Sequence, residues 1–173
     1  MSDLRALQDK AELHDLVMRY CRAVDRRQFA ALRALYHDDA FEDRGDIFVG
    51  SIDEFVAWMP VAMESFELTT HRIFNTLFVL DGDRAEGEIY AEAYHRTTGL
   101  DAQEIVVGGR YFDHYERRRG VWKFSRRSSA VDRCEMRPVN HEAYRHLTAD
   151  LPPGLPNSAD PSFAALPLLQ DLR

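Results

Sequence analysis

Apolar positions recur at steps of three and four through the first part of the chain. Over residues 4–24 the residues Leu4, Leu7, Ala11, Val17, Cys21 and Val24 fall on that spacing, with other apolar residues between them. The pattern predicts an amphipathic helix. A second helix is predicted to start in "DRRQFAALRALY", where Asp25 followed by Gln28 has the form of a capping-box variant. Ser51 and Glu54 in "SIDEFVAWM" repeat that signal and predict a third helix over about 52–65. The intervening "DAFEDRGDIFVG" alternates over a short, turn-rich stretch and predicts a small hairpin.

After residue 66 the pattern changes to β-branched and aromatic residues. "LTTHRIFNTLFVL", "RAEGEIYAEAYHRT", "QEIVVGGRYFDHYERR" and "GVWKFSRRSSAVD" read as four strands, with tight turns at "DGD" (81–83) and at Arg119-Gly120. Strands joined by such turns form an antiparallel meander. Gly108-Gly109 in mid-strand predicts a bulge or sharp bend, and a bent sheet with three helices on one side can enclose a pocket. Periodicity does not decide which face of the first strand is inward. His71 shares one face with Ile73, Asn75 and Leu77, while Phe74 and Phe78 occupy the other. The last segment differs again: "TADLPPGLPNSADP" is proline-rich, and "SFAALPLLQDL" is too apolar for a solvated terminus. These shifts divide the chain into a domain at 1–137 and an arm or lid at 138–173, ordered over at least part of its length.

Charge and composition narrow the function classes. The 29 acidic and 22 basic side chains give a net charge of −7, which argues against nucleic acid as the main partner. The one basic cluster, "YERRRGVWKFSRR", has the pattern of a solvated hairpin. No stretch has the charge and apolar pattern of a signal peptide or the length of a membrane span. Cys21 lies in the apolar stripe of the first helix, and neither it nor Cys134 belongs to a zinc-type spacing. The expectation is a cytoplasmic protein with reduced thiols. "HEAYRH" spaces its histidines by five, not by the four that would put two ligands on one helical face. P-loop, GxGxxG and GxSxG motifs are absent from the sequence. No metal or nucleotide cofactor is expected.

Asp25 has an ordinary explanation as a helix cap, and a lone strand histidine such as His71 is usually structural. A second observation bears on both. "AVDRRQF", "DDAFED", "THRIFN", "LDGDRAEGEIY" and "YFDHYERRRGVWKFSRR" occur in an order that resembles the SnoaL-like group of the nuclear transport factor 2 fold, over roughly residues 5–132. The resemblance implies an α+β cone: three N-terminal helices packed on a strongly bent antiparallel sheet, here with a C-terminal extension. Within that group the chain is similar to scytalone dehydratase, the bile-acid 7α-dehydratases and lindane dehydrochlorinase.

That likeness implies an aspartate–histidine dyad at Asp25 and His71. It implies a pocket tyrosine at Tyr20, five residues before the aspartate, and a pocket arginine on the last strand at Arg127. Asn75, Tyr90, Tyr94 and Tyr111 are candidate wall residues. The dehydrochlorinase has a lysine where this chain has Tyr20, which favours loss of water over loss of halide. The implied chemistry is cofactor-free dehydration of a hydrophobic cyclic alcohol, steroid- or polyketide-like. His71 would take the proton, Asp25 orient it, Tyr20 hydrogen-bond an oxygen and Arg127 stabilise negative charge. Elimination of halide or isomerisation by the same dyad is one alternative. The other is a non-catalytic ligand-binding or assembly subunit, like the β-subunits of ring-hydroxylating dioxygenases. The implied partner is a small hydrophobic substrate. A homo-oligomer is expected, with a trimer favoured over a dimer.

Overall fold

Helix α1 spans Asp3–Asp25 in a computed structural model that describes residues 3–171. Its apolar stripe buries Leu13, Leu16, Val17, Tyr20, Cys21 and Val24. Two backbone bonds end it: Gln28 N–H to Ala23 O at 2.8 Å and Arg27 N–H to Val24 O at 3.1 Å. This is the Schellman pattern, with Arg27 in the left-handed region at φ 52°. A non-glycine residue is held there because its guanidinium donates to the carbonyls of Met63 and Phe66.

The capping box expected at Asp25–Gln28 therefore does not form. Helix α2, Phe29–Ala34, has Gln28 at its N-cap with no side-chain cap bond. The Asp25 carboxylate points elsewhere. The box expected at Ser51–Glu54 does form, and it starts α3, Ile52–Ala62. Between these helices lie β1, Tyr36–Asp43, a 3₁₀ turn at Gly45–Ile47, and β2, Val49–Ser51. β1 and β2 pair antiparallel as the predicted hairpin.

The meander consists of β3 (Phe66–Asp81), β4 (Arg84–Thr97), β5 (Gln103–Arg118) and β6 (Val121–Pro138). Arg119 and Gly120 both have positive φ, at 54° and 81°, as a two-residue type I′ hairpin requires. The sheet order is β2-β1-β6-β5-β4-β3. β1 runs parallel to β6, with Glu42 opposite Arg127. The six-stranded sheet is thus mixed, whereas short turns alone had suggested a purely antiparallel one. A parallel pair needs a long crossover, here α3 and most of the meander, and leaves no local signature.

Two irregularities shape the concave face. At Gly108/Gly109 the β5–β6 register shifts. A Cβ on Gly109 would lie 2.2 Å from the Ala130 carbonyl oxygen, so only glycine permits that approach. A second shift falls between Ile73 and Thr76 on β3 and reverses the inward parity. His71 and Ile73 face inward before it. After it Phe78 is buried, while Phe74, Leu77 and Val79 are exposed. Simple alternation could not have assigned the face because the strand uses both.

The core fills the space between helices and sheet with Leu13, Val17, Leu32, Ile52, Phe55, Ile89, Tyr115 and Phe124, all buried. Burial of each large side chain contributes about 1.5–3 kcal/mol. Among the described residues, no helix is long and apolar enough to cross a membrane.

Beyond β6 lie α4 (His141–Thr148), α5 (Pro161–Ala165) and a 3₁₀ turn at Pro167–Asp171. This segment docks on the end of α1. Asp160, 4% exposed, accepts the N–H groups of Leu155 and Ser162 at 2.9 and 3.0 Å. It also lies 3.2 Å from Arg26 Nε. Arg22 lies over the Phe163 ring at 5.2 Å. Leu172 and Arg173 of the predicted arm lie outside the described residues.

Candidate active site

A cavity of about 530 Å³ lies between α1, α3, the β1–β2 connection and the concave face of the sheet. Its wall is mostly apolar, with Val24, Phe55, Trp58, Met59, Ile105 and Val107. Its polar lining comes from Tyr20, Arg44, His71, His95, Arg110, Tyr111 and Ser129. This is the composition of a small-molecule site. The residues lining it all come from before position 132, so the arm contributes none. A larger depression of about 840 Å³ lies near the two hairpin turns, but it is open, lined by charged groups such as Arg84, Glu86 and Arg118, and contains neither Asp25 nor His71.

Asp25 and His71 meet. The His71 Nδ1–H donates to Asp25 Oδ1 at 2.6 Å, and the His71 backbone N–H donates to Oδ2 at 2.9 Å. Both carboxylate oxygens are thereby spent on one residue. Because a carboxylate only accepts, Nδ1 must carry the proton, which leaves the Nε2 lone pair free. The bidentate grip fixes the ring in position as well as in tautomer. The two side chains are 12% and 6% exposed, so solvent competes little for these bonds.

Tyr20 stands edge-on to His71, with ring centroids 6.3 Å apart. Burial raises its hydroxyl pKa, and the nearby Arg44 charge opposes that rise. Its oxygen accepts a hydrogen bond from Arg44 Nη2 at 2.7 Å.

Arg127 is not on the cavity wall. It is 0% exposed and bonds Asp113 twice, at 2.6 and 2.7 Å. Its guanidinium lies 4.0 Å from the Tyr20 ring centre, 4.4 Å from Tyr111 and 4.3 Å from Phe124. Direct contact with a ligand is closed to it, which corrects the expectation of a pocket arginine on the last strand. The neighbouring Asp113 keeps it charged. It supports Tyr20 and Tyr111 from behind.

Two other arginines line the cavity: Arg110, which pairs with Glu88 and Asp132, and Arg44, which follows β1 and precedes the 3₁₀ turn. Sequence reasoning passed over Arg44 because "EDRG" reads as a turn. His95 was also missed. It lies directly across from Thr69 on the paired strand, and its ring centroid is 6.4 Å from that of His71. It stacks on Phe66 at 4.5 Å, and its Nδ1 lies 3.1 Å from Thr69 Oγ1. Burial first, and the neighbouring His71 second, push its pKa down to about 4, so it stays a neutral imidazole near neutrality. Alternation on β4 was the available signal: Ala91, Ala93 and His95 line the cavity, so Tyr90 and Tyr94 face away. Tyr94 donates to Glu104 at 3.0 Å. Of the four candidate wall residues, Tyr111 lines the cavity, and Asn75, Tyr90 and Tyr94 do not. Cys21 is a buried thiol pushed up to about 12 by burial, consistent with a packing role. Among the described residues, no three His, Cys, Asp or Glu side chains gather as a metal-ligand set.

The SnoaL-like domain profile matches residues 5–128. The chain belongs to the SnoaL-like domain family. Gamma-hexachlorocyclohexane dehydrochlorinase of Sphingobium indicum is 32% identical over 139 residues, spanning 76% of this chain and 86% of that protein. The solved structure of LinA superposes with a TM-score of 0.71 at 28% identity, covering 82% of this chain and 96% of LinA. A scytalone dehydratase candidate from Novosphingobium aromaticivorans gives a TM-score of 0.72, covering 81% and 94% of the two chains; at 22% identity the likeness concerns the fold. The SnoaL-like family thus includes enzymes. Here its cone holds a base with a free lone pair, an oriented partner carboxylate and hydroxyl and guanidinium donors around an apolar space. That set can move a proton to or from carbon and stabilise charge on a nearby oxygen.

Proposed function

We propose that the chain is a lyase that removes water from a hydrophobic cyclic alcohol by side-chain acid–base chemistry. The observation that carries this is the two-point grip of Asp25 on His71 beside an apolar cavity. Neutral His71 takes a proton from carbon on Nε2. The C–H electron pair forms the double bond, and hydroxide leaves the adjacent carbon. It takes the proton back from the imidazolium and departs as water. Asp25 holds Nδ1–H throughout and stabilises the transient cation, as the aspartate of a serine-protease triad does. Tyr20 donates to a substrate oxygen. Arg127 positions Tyr20, and His95 is available to hold the departing hydroxyl.

The 32% identical dehydrochlorinase supports a second outcome from the same dyad, loss of chloride. An assembly subunit has no need of an Asp–His contact facing a cavity, so that contact favours an enzyme. The small apolar substrate and the homo-oligomer expected from the resemblance belong to the same proposal.

The test is incubation with a panel of hydroxylated steroids, polyketide-like cyclic alcohols and chlorinated cyclohexanes, followed by mass spectrometry. The expected result is an alkene product formed by loss of water. His71→Ala should lower the rate about 10²–10⁴-fold with an unchanged circular dichroism spectrum. Wild-type turnover in His71→Ala would sink the mechanism. Loss of hydrogen chloride alone would transfer the assignment to the second outcome.

A further inference from the structure

We propose that Asp160 of the C-terminal arm is a positioning residue for the dyad, holding Asp25 against His71 from outside the cavity by way of Arg26. This deepens the elimination reading, on which its kinetic consequence rests. The SnoaL-like profile ends at residue 128, so the arm lies outside the family match.

At the end of α1, three consecutive residues point three ways. Asp25 grips His71. Arg27 donates to the carbonyls of Met63 and Phe66. Arg26 turns to the arm, where its Nε lies 3.2 Å from Asp160 Oδ1, while its Nη1 donates to the Asp25 carbonyl at 3.5 Å. The turn that carries Asp25 is thus tied to β3, to the end of α3 and to the arm. Helix ends fray more readily than helix interiors, and Asp25 is the last residue of its helix. Its partner strand β3 is the last in the sheet order. Fixing this helix end narrows the positions that the carboxylate can take, and proton transfer is sensitive to small misplacement of its groups.

Asp160 is itself held firmly. It is buried and accepts the N–H groups of Leu155 and Ser162 and the Ser162 hydroxyl. Burial alone would raise its pKa. The Ser162 and Leu155 bonds and the Arg26 charge hold it down to about 2, so it is an anion near neutrality. Arg22, one turn earlier on α1, repeats the contact: its Nη1 donates to Ser162 Oγ at 3.4 Å, and its guanidinium lies over the Phe163 ring.

The arm's other contact lies behind the opposite wall. The Tyr144 ring of α4 lies 4.8 Å from the Arg96 guanidinium. Arg96 follows His95 on β4, so the two side chains leave opposite faces of the strand. His95 faces the cavity, and Arg96 also bonds Glu67 at the start of β3. Both contacts therefore fall one residue from a polar group of the site, Arg26 beside Asp25 and Arg96 beside His95. The arm adds no side chain to the cavity lining, yet it touches the elements that carry both groups.

The test is amide hydrogen exchange on the full chain, read by NMR. The His71 N–H donates to Asp25 Oδ2 at 2.9 Å, so its protection reports the grip directly. The Gln28 N–H, bonded to Ala23 O at 2.8 Å, reports the helix end, and the Phe124 N–H, bonded to Leu35 O at 3.1 Å, reports the core. In Asp160→Ala, exchange at His71 and Gln28 should rise about threefold to tenfold while Phe124 stays within about twofold. Asp160→Asn keeps an acceptor for the arm's N–H groups but loses the charge, and should give a smaller rise at the same two amides. An equal rise at all three amides, or no rise, overturns the proposal. If Asp160→Ala does not fold, Arg26→Met decides it by the same criteria. On a substrate turned over in the panel, Asp160→Ala should lower kcat about threefold to tenfold with KM within about twofold. Selective exchange with unchanged kcat also overturns the positioning role. The two readings fail separately, because the exchange is measured without substrate. A selective rise in a protein that dehydrates nothing keeps the arm's hold on Asp25 and removes the lyase. An active lyase with uniform exchange does the reverse.

Discussion

Two aspartate-anchored pairs lie within the cone, and they differ in what they leave free. Asp25–His71 and Asp113–Arg127 both have a closest contact of 2.6 Å, and both are shielded from solvent. Asp113 is saturated by two bonds from Arg127 and one from Tyr115 at 2.7 Å, and the Arg127 charge is spread over three rings. His71, by contrast, keeps its Nε2 open beside the cavity. Distance and burial do not separate a chemical pair from an architectural one. Arg127 Nη1 is also left without an acceptor, but it is sealed from the cavity; what separates the pairs is an unspent valence that faces the cavity.

The comparison can be broken from each side. Asp25→Asn should give the largest effect, because an amide no longer forces the proton onto Nδ1. We expect turnover to fall about 10²–10⁴-fold, measured on the substrate found by the panel, with little change in melting temperature. Arg127→Met should act the other way, lowering stability by about 3–5 kcal/mol because Asp113 is left as an uncompensated buried charge. Urea denaturation measures this, and the double variant Arg127→Met/Asp113→Leu should recover most of the loss. A stable Arg127→Met protein with impaired turnover would give Arg127 a role beyond support.

A third prediction concerns His95, whose pKa is depressed from 6.5 to about 4. Above pH 6.5 neither folded nor unfolded chain protonates it, and it adds no pH dependence. Between pH 6.5 and 4 the unfolded chain takes up the proton and the folded chain does not. Stability therefore falls as pH falls through that window, by about 3 kcal/mol in all, and levels off below it. His95→Asn should flatten that part of the stability profile. The smallest effect belongs to the arm. Ending the chain at Asn140 removes the Asp160–Arg26 contact but no cavity residue, so binding of a small apolar probe such as naphthalene should persist with a melting temperature lower by a few degrees. Lost binding would make the arm a lid.

The helical stripe, the Ser51–Glu54 box and the hairpin turns are local features, so the chain displays them directly. The bend at Gly108-Gly109 was legible for the same reason. The Asp25–His71 contact was legible only through the resemblance, since a carboxylate at a helix end has a sufficient local explanation. What stayed hidden depends on distant strands. Arg44 becomes a wall residue only because β1 pairs with β6. His95 faces His71 only through the β3–β4 register, and the parity change after Ile73 is invisible to alternation. Arg127 shows the converse: its position on the strand suited a pocket role, but Asp113, fourteen residues earlier, claims it.

The parallel β1–β6 pair has a further consequence for synthesis of the chain. Arg44 directly follows β1, a strand made early, yet β1 pairs with the last long strand to leave the ribosome. Asp25 and His71 can come together once β3 has been translated. The guanidinium wall waits until residues near 128 have emerged from the exit tunnel. A nascent chain can therefore bring Asp25 to His71 before the cavity wall closes, and a stalled translation product ending in β5 should be folded in part and unable to bind a ligand.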